Sequence, residues 1–450
     1  MKQNLRNPET GPSATGAGRV SDVGPQIDAG SPESKASGPS HAIGVTLLTG
    51  GGDRPYVFGL TTELISKGVA LDLIGSNELD GPEFHDKPGL NFLNLRGDQR
   101  PDATFSKKIL RVSAYYLKLI HYAARAKPRV FHILWNNKFE TLDRTLLMLY
   151  YRLLGKRIVL TAHNVNAGKR DSKDTFLNRL TLRIQYRLSD HIFVHTEQMK
   201  RELVQEFGVQ LVRITVIPFG INNAVPNTVL TASEAKQRLS IRDGERVILF
   251  FGRIRPSKGL EYLITAFRQI GARYDRYRLI IAGQPDNSEN YWNTIRDSIR
   301  EDVQTGRILL RTEFIPDDQT EVYFKAADVL VLPYRHIYQS GVLFLGHSFG
   351  LPVLAADVGS LKDEIVEGNT GFVFRSEDPV ALATTIERYF ASDLFVNLGS
   401  QRQEIIDFAT ERHSWDVVGK MTMRVYAALF PRKTEGGLAD RDAPSVSPSN

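Results

Sequence analysis

The pattern most informative about the architecture is Val247-Ile-Leu-Phe-Phe-Gly-Arg-Ile-Arg-Pro-Ser-Lys-Gly-Leu260. It opens with an unbroken apolar run, which predicts a strand of a parallel sheet, because such strands are buried on both faces. From Gly259 onward, apolar residues recur at helical spacing. Arg253 and Lys258 therefore lie between a strand and the helix that follows it, where open α/β sheets bind their ligands.

The same alternation of strand and helix continues in both directions along the chain. Towards the C-terminus, we predict strands at 279–282, 308–310, 329–332 and 353–355, and helices near 259–269, 288–300, 318–326, 341–349 and 379–390. Towards the N-terminus, we predict strands at 43–48, 69–74, 130–134, 157–161, 191–194 and 213–217, and helices at 56–67, 107–126, 139–154, 175–188 and 197–207. This rhythm predicts an α/β protein with two doubly wound, Rossmann-like domains that face a central cleft.

Composition sets the limits of these domains. Residues 1–40 and 431–450 are poor in large apolar groups and rich in Gly, Pro, Ser and Ala or charges, so both are predicted to be disordered tails. Between them, 41–222 forms the first domain and 223–413 the second, with the connection inside 222–245.

The bulk composition excludes several classes of protein. The chain has 450 residues and no cysteine, so it has no disulfides and no thiolate metal site. It contains no apolar run long enough for a membrane span and no apolar segment after its basic N-terminus, so we expect a cytoplasmic protein. The net charge of +6 suits nucleotide sugars, phospholipid surfaces or nucleic acid, and nothing else in the sequence supports nucleic acid.

Two loops carry the groups that bind phosphate. Arg253 and Lys258 supply positive charge after the strand at 247–251, although a solvated basic loop would look the same. The turn Gln339-Ser340-Gly341 opens a predicted helix, whose N–H groups attract an anion unless Ser340 simply caps them.

The loop after the first strand, Thr49-Gly-Gly-Gly-Asp-Arg-Pro55, brings Gly51 and Gly52 to the same edge, either to face a ligand or to form an ordinary tight turn. Pro55 stands where a dinucleotide fingerprint needs its third glycine, and the second strand ends without an acidic residue. These two departures disfavour a nicotinamide enzyme.

Other strand ends supply weaker candidates. His163 follows the strand 157–161, where its imidazole either hydrogen-bonds a sugar hydroxyl or is a structural histidine. Gly283, Phe314 and Ile315 end strands of the second domain and either contact a base and ribose or form generic turns. Within the folded region there is no D-x-D triplet, so a catalytic divalent metal is not indicated.

The helix at 107–126 is both cationic and amphipathic. It either lies on an anionic membrane surface, giving a peripheral contact with the inner face of the membrane, or packs on the core with its cations in solvent.

Taken together, the motifs resemble retaining glycosyltransferases of family 4, which have the GT-B fold. The likeness is carried by GRIRPSKGLEYLITAF at 252–267, LIIAG at 279–283, EFIPDDQTEVYFKAADVLVLPY at 313–334 and QSGVLFLGHSFGLPVLAADVGSLKDEIVEGNTGFVF at 339–374. It covers most of residues 42–430 and is looser in the first half. The resemblance implies that the first domain binds the acceptor, that the second binds the donor, and that the helix at 414–430 crosses back over the first domain.

The resemblance also implies roles for single residues. Arg253 and Lys258 would hold the donor diphosphate, Gly51, Gly52 and Asp53 would lie near the phosphates and acceptor, and His163 would face the transferred sugar. Family members use nucleotide sugars as co-substrates, need no metal or other cofactor, and retain the anomeric configuration.

One departure from the family pattern concerns its pair of glutamates. The usual E-x7-E signature would end at Leu345 and begin at Ile337, so both carboxylates are missing. The sequence is similar to a subgroup in which a Q-S-G turn replaces this signature. Gln339 would then contact the donor by its side chain, while Ser340 and Gly341 would offer N–H groups to phosphate. Glu364 has no matching role.

The sequence therefore predicts a metal-independent, retaining hexosyltransferase that moves sugar from a nucleotide diphosphate to a glycan, lipid-linked or small-molecule acceptor. A sugar-nucleotide epimerase of the same fold and a non-catalytic nucleotide-sugar-binding scaffold stay open as alternatives. The missing glutamate pair favours the scaffold, whereas Arg253, Lys258 and His163 argue against it.

Overall fold

The computed structural model describes residues 43–99, 104–170, 174–222, 225–286 and 288–430. The two predicted tails, 1–40 and 431–450, lie outside these residues.

The first half of the chain forms a parallel sheet of seven strands in the order β3-β2-β1-β4-β5-β6-β7. The strands are β1 (Gly44–Leu48), β2 (Ala70–Gly75), β3 (Leu90–Asn94), β4 (Val130–Ile133), β5 (Arg157–Thr161), β6 (His191–Val194) and β7 (Ile214–Val216). The helices are α1 (Arg54–Ser66), α2 (Phe105–Arg125), α3 (Glu140–Leu142), α4 (Met148–Leu153), α5 (Ala167–Arg170), α6 (Phe176–Leu188) and α7 (Glu197–Phe207), and a π-helical turn at Asp143–Leu147 joins α3 to α4.

The second half forms a parallel sheet of six strands in the order β10-β9-β8-β11-β12-β13. Its strands are β8 (Arg246–Phe251), β9 (Tyr277–Ala282), β10 (Ile308–Arg311), β11 (Val329–Leu332), β12 (Val353–Ala356) and β13 (Gly371–Phe374). Helix α8 (Ala232–Arg238) precedes it, and the rest are α9 (Leu260–Gly271), α10 (Glu289–Ser298), α11 (Arg300–Gln304), α12 (Asp317–Ala326), α13 (Gly341–Ser348), α14 (Pro379–Phe390), α15 (Asp393–Val396), α16 (Leu398–His413) and α17 (Trp415–Ala428).

The predicted fold class is confirmed, because each half is a parallel sheet whose two faces are both covered by apolar residues. Consecutive residues of one strand pack on opposite faces of the sheet. Phe131 packs into one cluster of the first sheet and Val130 into the other, as the two-residue period of a strand requires.

Several elements were missing from the sequence prediction, including the helices α5, α15 and α16. β3 and β13 are edge strands of their sheets, and α8 lies in the segment taken as a connection. An edge strand pairs on one side only and need not be apolar throughout. Asn91 and Asn94, for example, interrupt the apolar pattern of β3.

Helix α17 packs against α1, the first helix of the chain. The indole of Trp415 fits against Gly59 of α1 and Gly220 of the connection, and a Cβ on either glycine would overlap it. The indole Nε1 donates to the Ile221 carbonyl at 2.9 Å, and Lys67 pairs with Asp416 at 2.9 Å. The last described helix thus holds both the first helix and the segment that leads into the second half.

Candidate functional site

A cavity of about 260 Å³ opens between the two sheets. Its walls come from five separate parts of the chain: the start of α1, the segment after β7, the loop after β8, the start of α13, and α17. The lining residues include Asp53, Tyr56, Phe219–Asn222, Lys258, Gln339–Val342, Leu345 and Trp415. Lys258, Gln339, Ser340 and Gly341, four of the predicted phosphate-binding residues, are thereby brought together.

Gln339 is the most unusual side chain in this cavity. Both polar atoms of its amide are buried, and neither has a hydrogen-bond partner among the described residues. A buried amide without partners costs free energy, on the order of 1–3 kcal/mol for each unsatisfied group. Such a group in a cavity wall fits a site where a polar ligand supplies the missing hydrogen bonds.

Lys258 is held above an aromatic ring. It ends a 3-10 turn, Pro256–Lys258, and its Nζ lies 3.7 Å from the centroid of the Tyr334 ring. Burial raises the pKa of Tyr334 to about 12, so its hydroxyl is neutral. That hydroxyl lies 3.3 Å from Ser340 Oγ, which connects the lysine platform to the start of α13.

Ser340 occupies the N-cap position of α13, but its side chain makes no capping hydrogen bond. The helix N-terminus faces the cavity, which Ser340, Gly341 and Val342 all line. A helix N-terminus carries partial positive charge. Together with Lys258 it gives the cavity two sources of positive potential.

Arg253 lies outside this cavity. Its side chain is 61% exposed, and Nη1 lies 3.4 Å from Asp286 Oδ1. Arg255 pairs with the same carboxylate. Of the two predicted phosphate-binding cations, Lys258 lines the cavity and Arg253 pairs with Asp286.

The glycines of the first loop lie close to other side chains, and their contact with phosphate stays a prediction. A Cβ on Gly52 would overlap the Trp135 ring, and one on Gly51, at φ +78°, would overlap Arg96. Neither glycine lines the cavity, whereas Asp53 does. Asp53 accepts a hydrogen bond from the Tyr56 N–H at 3.2 Å and so begins α1.

His163 lies beside the cavity, in a cluster of rings. Its imidazole stacks on Trp135 at 4.0 Å between centroids and meets Tyr56 edge-on at 4.8 Å. Burial lowers the pKa of His163 well below its usual value and that of His195 to about 4. Both imidazoles are therefore neutral at pH 7.

The hydrogen bonds of this pair define where the protons lie. His195 Nδ1 is 3.2 Å from the Ile217 carbonyl, which can only accept, so Nδ1 carries the proton. The bare Nε2 of His195 then accepts from His163 Nδ1–H at 3.0 Å. His163 Nε2 is left as an acceptor, buried and without a hydrogen-bond partner among the described residues.

The three residues predicted near the base lie away from the cavity lining. Gly283, at φ +141°, packs so closely on Gly252 that a Cβ would overlap the Gly252 carbonyl. Phe314 is exposed after β10, and Ile315 is buried in the core. Their contact with a base or ribose stays a prediction.

The positions of the missing glutamates have different surroundings. Leu345 is an apolar part of the cavity wall, whereas Ile337 lines a second, wider opening of about 550 Å³ beside α7. Glu364 lies 3.0 Å from His413 Nε2, and His413 Nδ1 lies 3.1 Å from the Phe219 carbonyl. Glu364 therefore supports the cavity wall through His413.

Tyr56, Phe219 and Trp415 form much of the cavity wall and were not predicted from the sequence. They come from three distant segments, so no local motif contains them. The one available signal was position: Phe219 follows directly after a predicted strand, where side chains reach the cleft.

Across the described residues, no group of three or more His, Cys, Asp or Glu side chains is arranged to hold a metal ion. Within that same part of the chain, every helix is too short or too polar to cross a bilayer.

Comparison with known proteins agrees with this architecture. Residues 50–225 match the model of Glycosyltransferase Family 4, and residues 245–392 match Glycosyl transferases group 1. A curated relative, D-inositol 3-phosphate glycosyltransferase of Corynebacterium urealyticum, is 25% identical over 260 residues, which cover 56% of this chain. The match spans 60% of that relative's length.

Two solved structures share the fold. Sucrose-phosphate synthase from Thermosynechococcus elongatus has a TM-score of 0.69 at 19% identity, covering 86% of this chain and 98% of its own. Anabaena HepE, in complex with UDP and glucose, has a TM-score of 0.66 at 15% identity, covering 86% of this chain and all of its own. With both halves matched by these models, the chain belongs to the family 4 glycosyltransferases and has the GT-B fold.

Proposed function

We propose that the protein is a retaining, metal-independent glycosyltransferase that takes a hexose-type sugar from a nucleotide-diphosphate donor. The unpartnered amide of Gln339 carries this proposal, because it lies in the same cavity as Lys258 and the start of α13. A polar, anionic ligand would satisfy all three. HepE, which shares the fold, was solved with UDP and glucose.

The donor diphosphate would lie against Lys258 and the N–H groups at the start of α13. As the bond from the anomeric carbon to the diphosphate oxygen breaks, negative charge grows on the leaving group. Fixed positive charge at that point stabilises the transition state more than the ground state. Arg253 would add a second cation once its guanidinium turns from Asp286 to the phosphate.

The acceptor, a glycan, a lipid-linked glycan or a small molecule, would enter from the first domain. His163 Nε2 is an acceptor at neutral pH and would take a hydrogen bond from a sugar hydroxyl. It would therefore orient the sugar without removing a proton. In a retaining reaction without an enzymic nucleophile, the leaving phosphate accepts the proton of the attacking hydroxyl.

Leu345 gives the scaffold alternative its one structural argument. The wall that would hold a ribose-binding carboxylate is apolar there. Ribose would then be held by groups outside the E-x7-E positions, or it would not be held at all. Only a non-catalytic scaffold could function without holding the ribose.

The test is a thermal-shift panel of UDP-, GDP- and ADP-sugars with the full chain, followed by donor turnover with and without acceptors. We expect one nucleotide to raise the melting temperature. Gln339→Leu and Lys258→Met should each weaken the binding of that nucleotide roughly tenfold to 100-fold, because each removes hydrogen bonds to a charged group. Lys362→Met, an exposed lysine paired with Asp357, is the matched control.

Each alternative has its own outcome. Release of epimerised sugar nucleotide without any acceptor would establish the epimerase. The scaffold would be favoured if no nucleotide shifted the melting temperature. An Arg253→Ala protein with unchanged donor cleavage would remove Arg253 from the mechanism.

A further inference from the structure

Three neighbouring helical segments of the first domain expose large apolar side chains on their outer face. Each is firmly seated on the sheet below, and their inward residues share one apolar cluster. The exposed residues are Ile109, Leu110, Leu117 and Ile120 of α2, Leu146, Leu149 and Leu153 of the segment 140–153, and Phe176, Leu177 and Leu180 of α6. We call this set the basic apolar face.

The segments lie side by side. Tyr150 Oη donates to the Ile120 carbonyl at 3.1 Å, which fixes the segment 140–153 beside α2. Arg144 Nη1 donates to Asn178 Oδ1 at 2.9 Å, which fixes it beside α6. The exposed residues therefore belong to one surface and are not scattered over the molecule.

The degree of exposure is high for side chains of this size. Leu110 is 72% exposed, Leu153 is 78% and Phe176 is 83%. Scattered exposed leucines are ordinary, but a contiguous apolar surface on a monomer marks a site of contact with a protein or a membrane.

The charges on the same helices select between these partners. In α2 there are five Lys or Arg residues and no Asp or Glu, and α6 has three Arg residues and no acidic residue. The segment 140–153 has two acidic and two Arg residues, so the three segments together are strongly basic. A second copy of this chain, docked by the same face, would bring like charges together. An anionic lipid surface would neutralise them while taking up the leucines.

We propose that the basic apolar face docks on an anionic membrane. The contact predicted for residues 107–126 alone thus extends over three helical segments. α2 and α6 begin at the carboxyl edge of the sheet, where the cleft opens, so docking would hold the cleft mouth near the lipid surface. This surface contact does not depend on the transfer reaction.

The test is flotation of the full chain with vesicles, without any sugar nucleotide. Vesicles of phosphatidylcholine alone are compared with vesicles that also contain phosphatidylglycerol, at low and high salt. We expect binding to the anionic vesicles that weakens as salt is added, because exposed charges are screened.

Pairs of variants separate the contribution of the cations to vesicle binding from that of the apolar side chains. Arg183→Gln with Arg187→Gln should lower the partition coefficient roughly 25-fold, about fivefold for each cation near an anionic surface. Leu110→Ser with Leu117→Ser should also lower it. The matched controls lie in the second half of the chain: Arg238→Gln with Arg242→Gln, and Val229→Ser with Val380→Ser, all exposed positions.

Circular dichroism and the melting temperature check that every variant is folded. The proposal would be overturned if the variants of the basic apolar face bound vesicles as well as their controls did. It would also be overturned if the wild-type protein did not bind anionic vesicles. If sedimentation velocity showed a dimer that Leu110→Ser with Leu117→Ser dissolves, with no vesicle binding, the partner would be a second copy instead.

Discussion

Neighbouring groups determine which nitrogen of the His163 imidazole carries the proton. The Ile217 carbonyl fixes the proton of His195, and His195 in turn fixes that of His163. His195 never reaches the cavity lining, yet it decides which nitrogen of His163 can accept a hydrogen bond. It is a positioning residue.

Replacing His195 should therefore alter the site without touching a ligand. In His195→Phe, His163 Nδ1–H loses its acceptor, and we expect transfer to slow by roughly tenfold, equivalent to about 1.4 kcal/mol. His195→Gln keeps an acceptor and should restore most of the rate.

Imidazole ¹⁵N shifts report the His163 tautomer directly, and a merely structural role for His195 would leave them unchanged. Wild-type turnover and an unchanged tautomer in His195→Phe would contradict this role.

For single residues, the sequence allowed a site prediction only where the residue lies in a loop that follows a predicted strand. Lys258 and Gln339, which line the cavity, were predicted because each follows a strand in the chain. The ion pair of Arg253 with Asp286 and the ring packing behind Gly52 depend on side-chain directions that spacing does not encode. The walls formed by Tyr56 and Trp415 come from segments far apart in the chain, so they need the tertiary structure.

At the scale of single elements, helix glycines have opposite roles in different helices. Gly399, in α16, has no atom within 4 Å of an added Cβ, whereas a Cβ on Gly59 of α1 would overlap Trp415. Glycine in an open helix costs about 0.8–1.0 kcal/mol relative to alanine. Glycine under a packed ring permits the packing itself.

We accordingly expect Gly399→Ala to raise the free energy of unfolding by about 0.5–1 kcal/mol. Gly59→Ala should lower it by about 1–3 kcal/mol, because α17 must shift away. Urea denaturation of both variants measures the two values. Two changes of the same sign would contradict the packing of Trp415 on α1.

The bounds of strands were predicted well where most residues of the strand are buried. β5, β6 and β11 have the predicted bounds, because their inner residues are apolar and buried. The edge strand β3 was not predicted because Asn91 and Asn94 interrupt its apolar pattern. The π-helical turn at Asp143–Leu147 escaped too, because it interrupts a helix whose sequence shows ordinary helical spacing.

For the whole molecule, buried histidines in both halves couple stability to pH. Burial lowers the pKa of His132 and His347 to about 3 and that of His195 to about 4, against about 6.5 in the unfolded chain. Between these values the unfolded chain binds protons that the folded protein does not. Stability is therefore complete above pH 6.5 and falls as the pH drops towards 4.

We expect His132, His195 and His347 to lower the free energy of unfolding by roughly 3–4 kcal/mol between pH 7 and 5.5, about 1.4 kcal/mol for each histidine per pH unit below 6.5. His163 and His191, whose pKa values burial also lowers, add to this fall. Urea denaturation at constant ionic strength measures this. Between pH 7.5 and 8.5 the same groups should contribute no change. A free energy that stays constant or rises on acidification would contradict the burial of these imidazoles as neutral groups.

The return of α17 to α1 has a consequence for the order in which the chain is made. Translation delivers residues 43–216 first, yet the surface of α1 around Gly59 is covered only when Trp415 arrives. At ordinary elongation rates that wait lasts on the order of tens of seconds. During it, the nascent first domain exposes an apolar patch to chaperones, and the whole second domain is synthesised before that patch is covered.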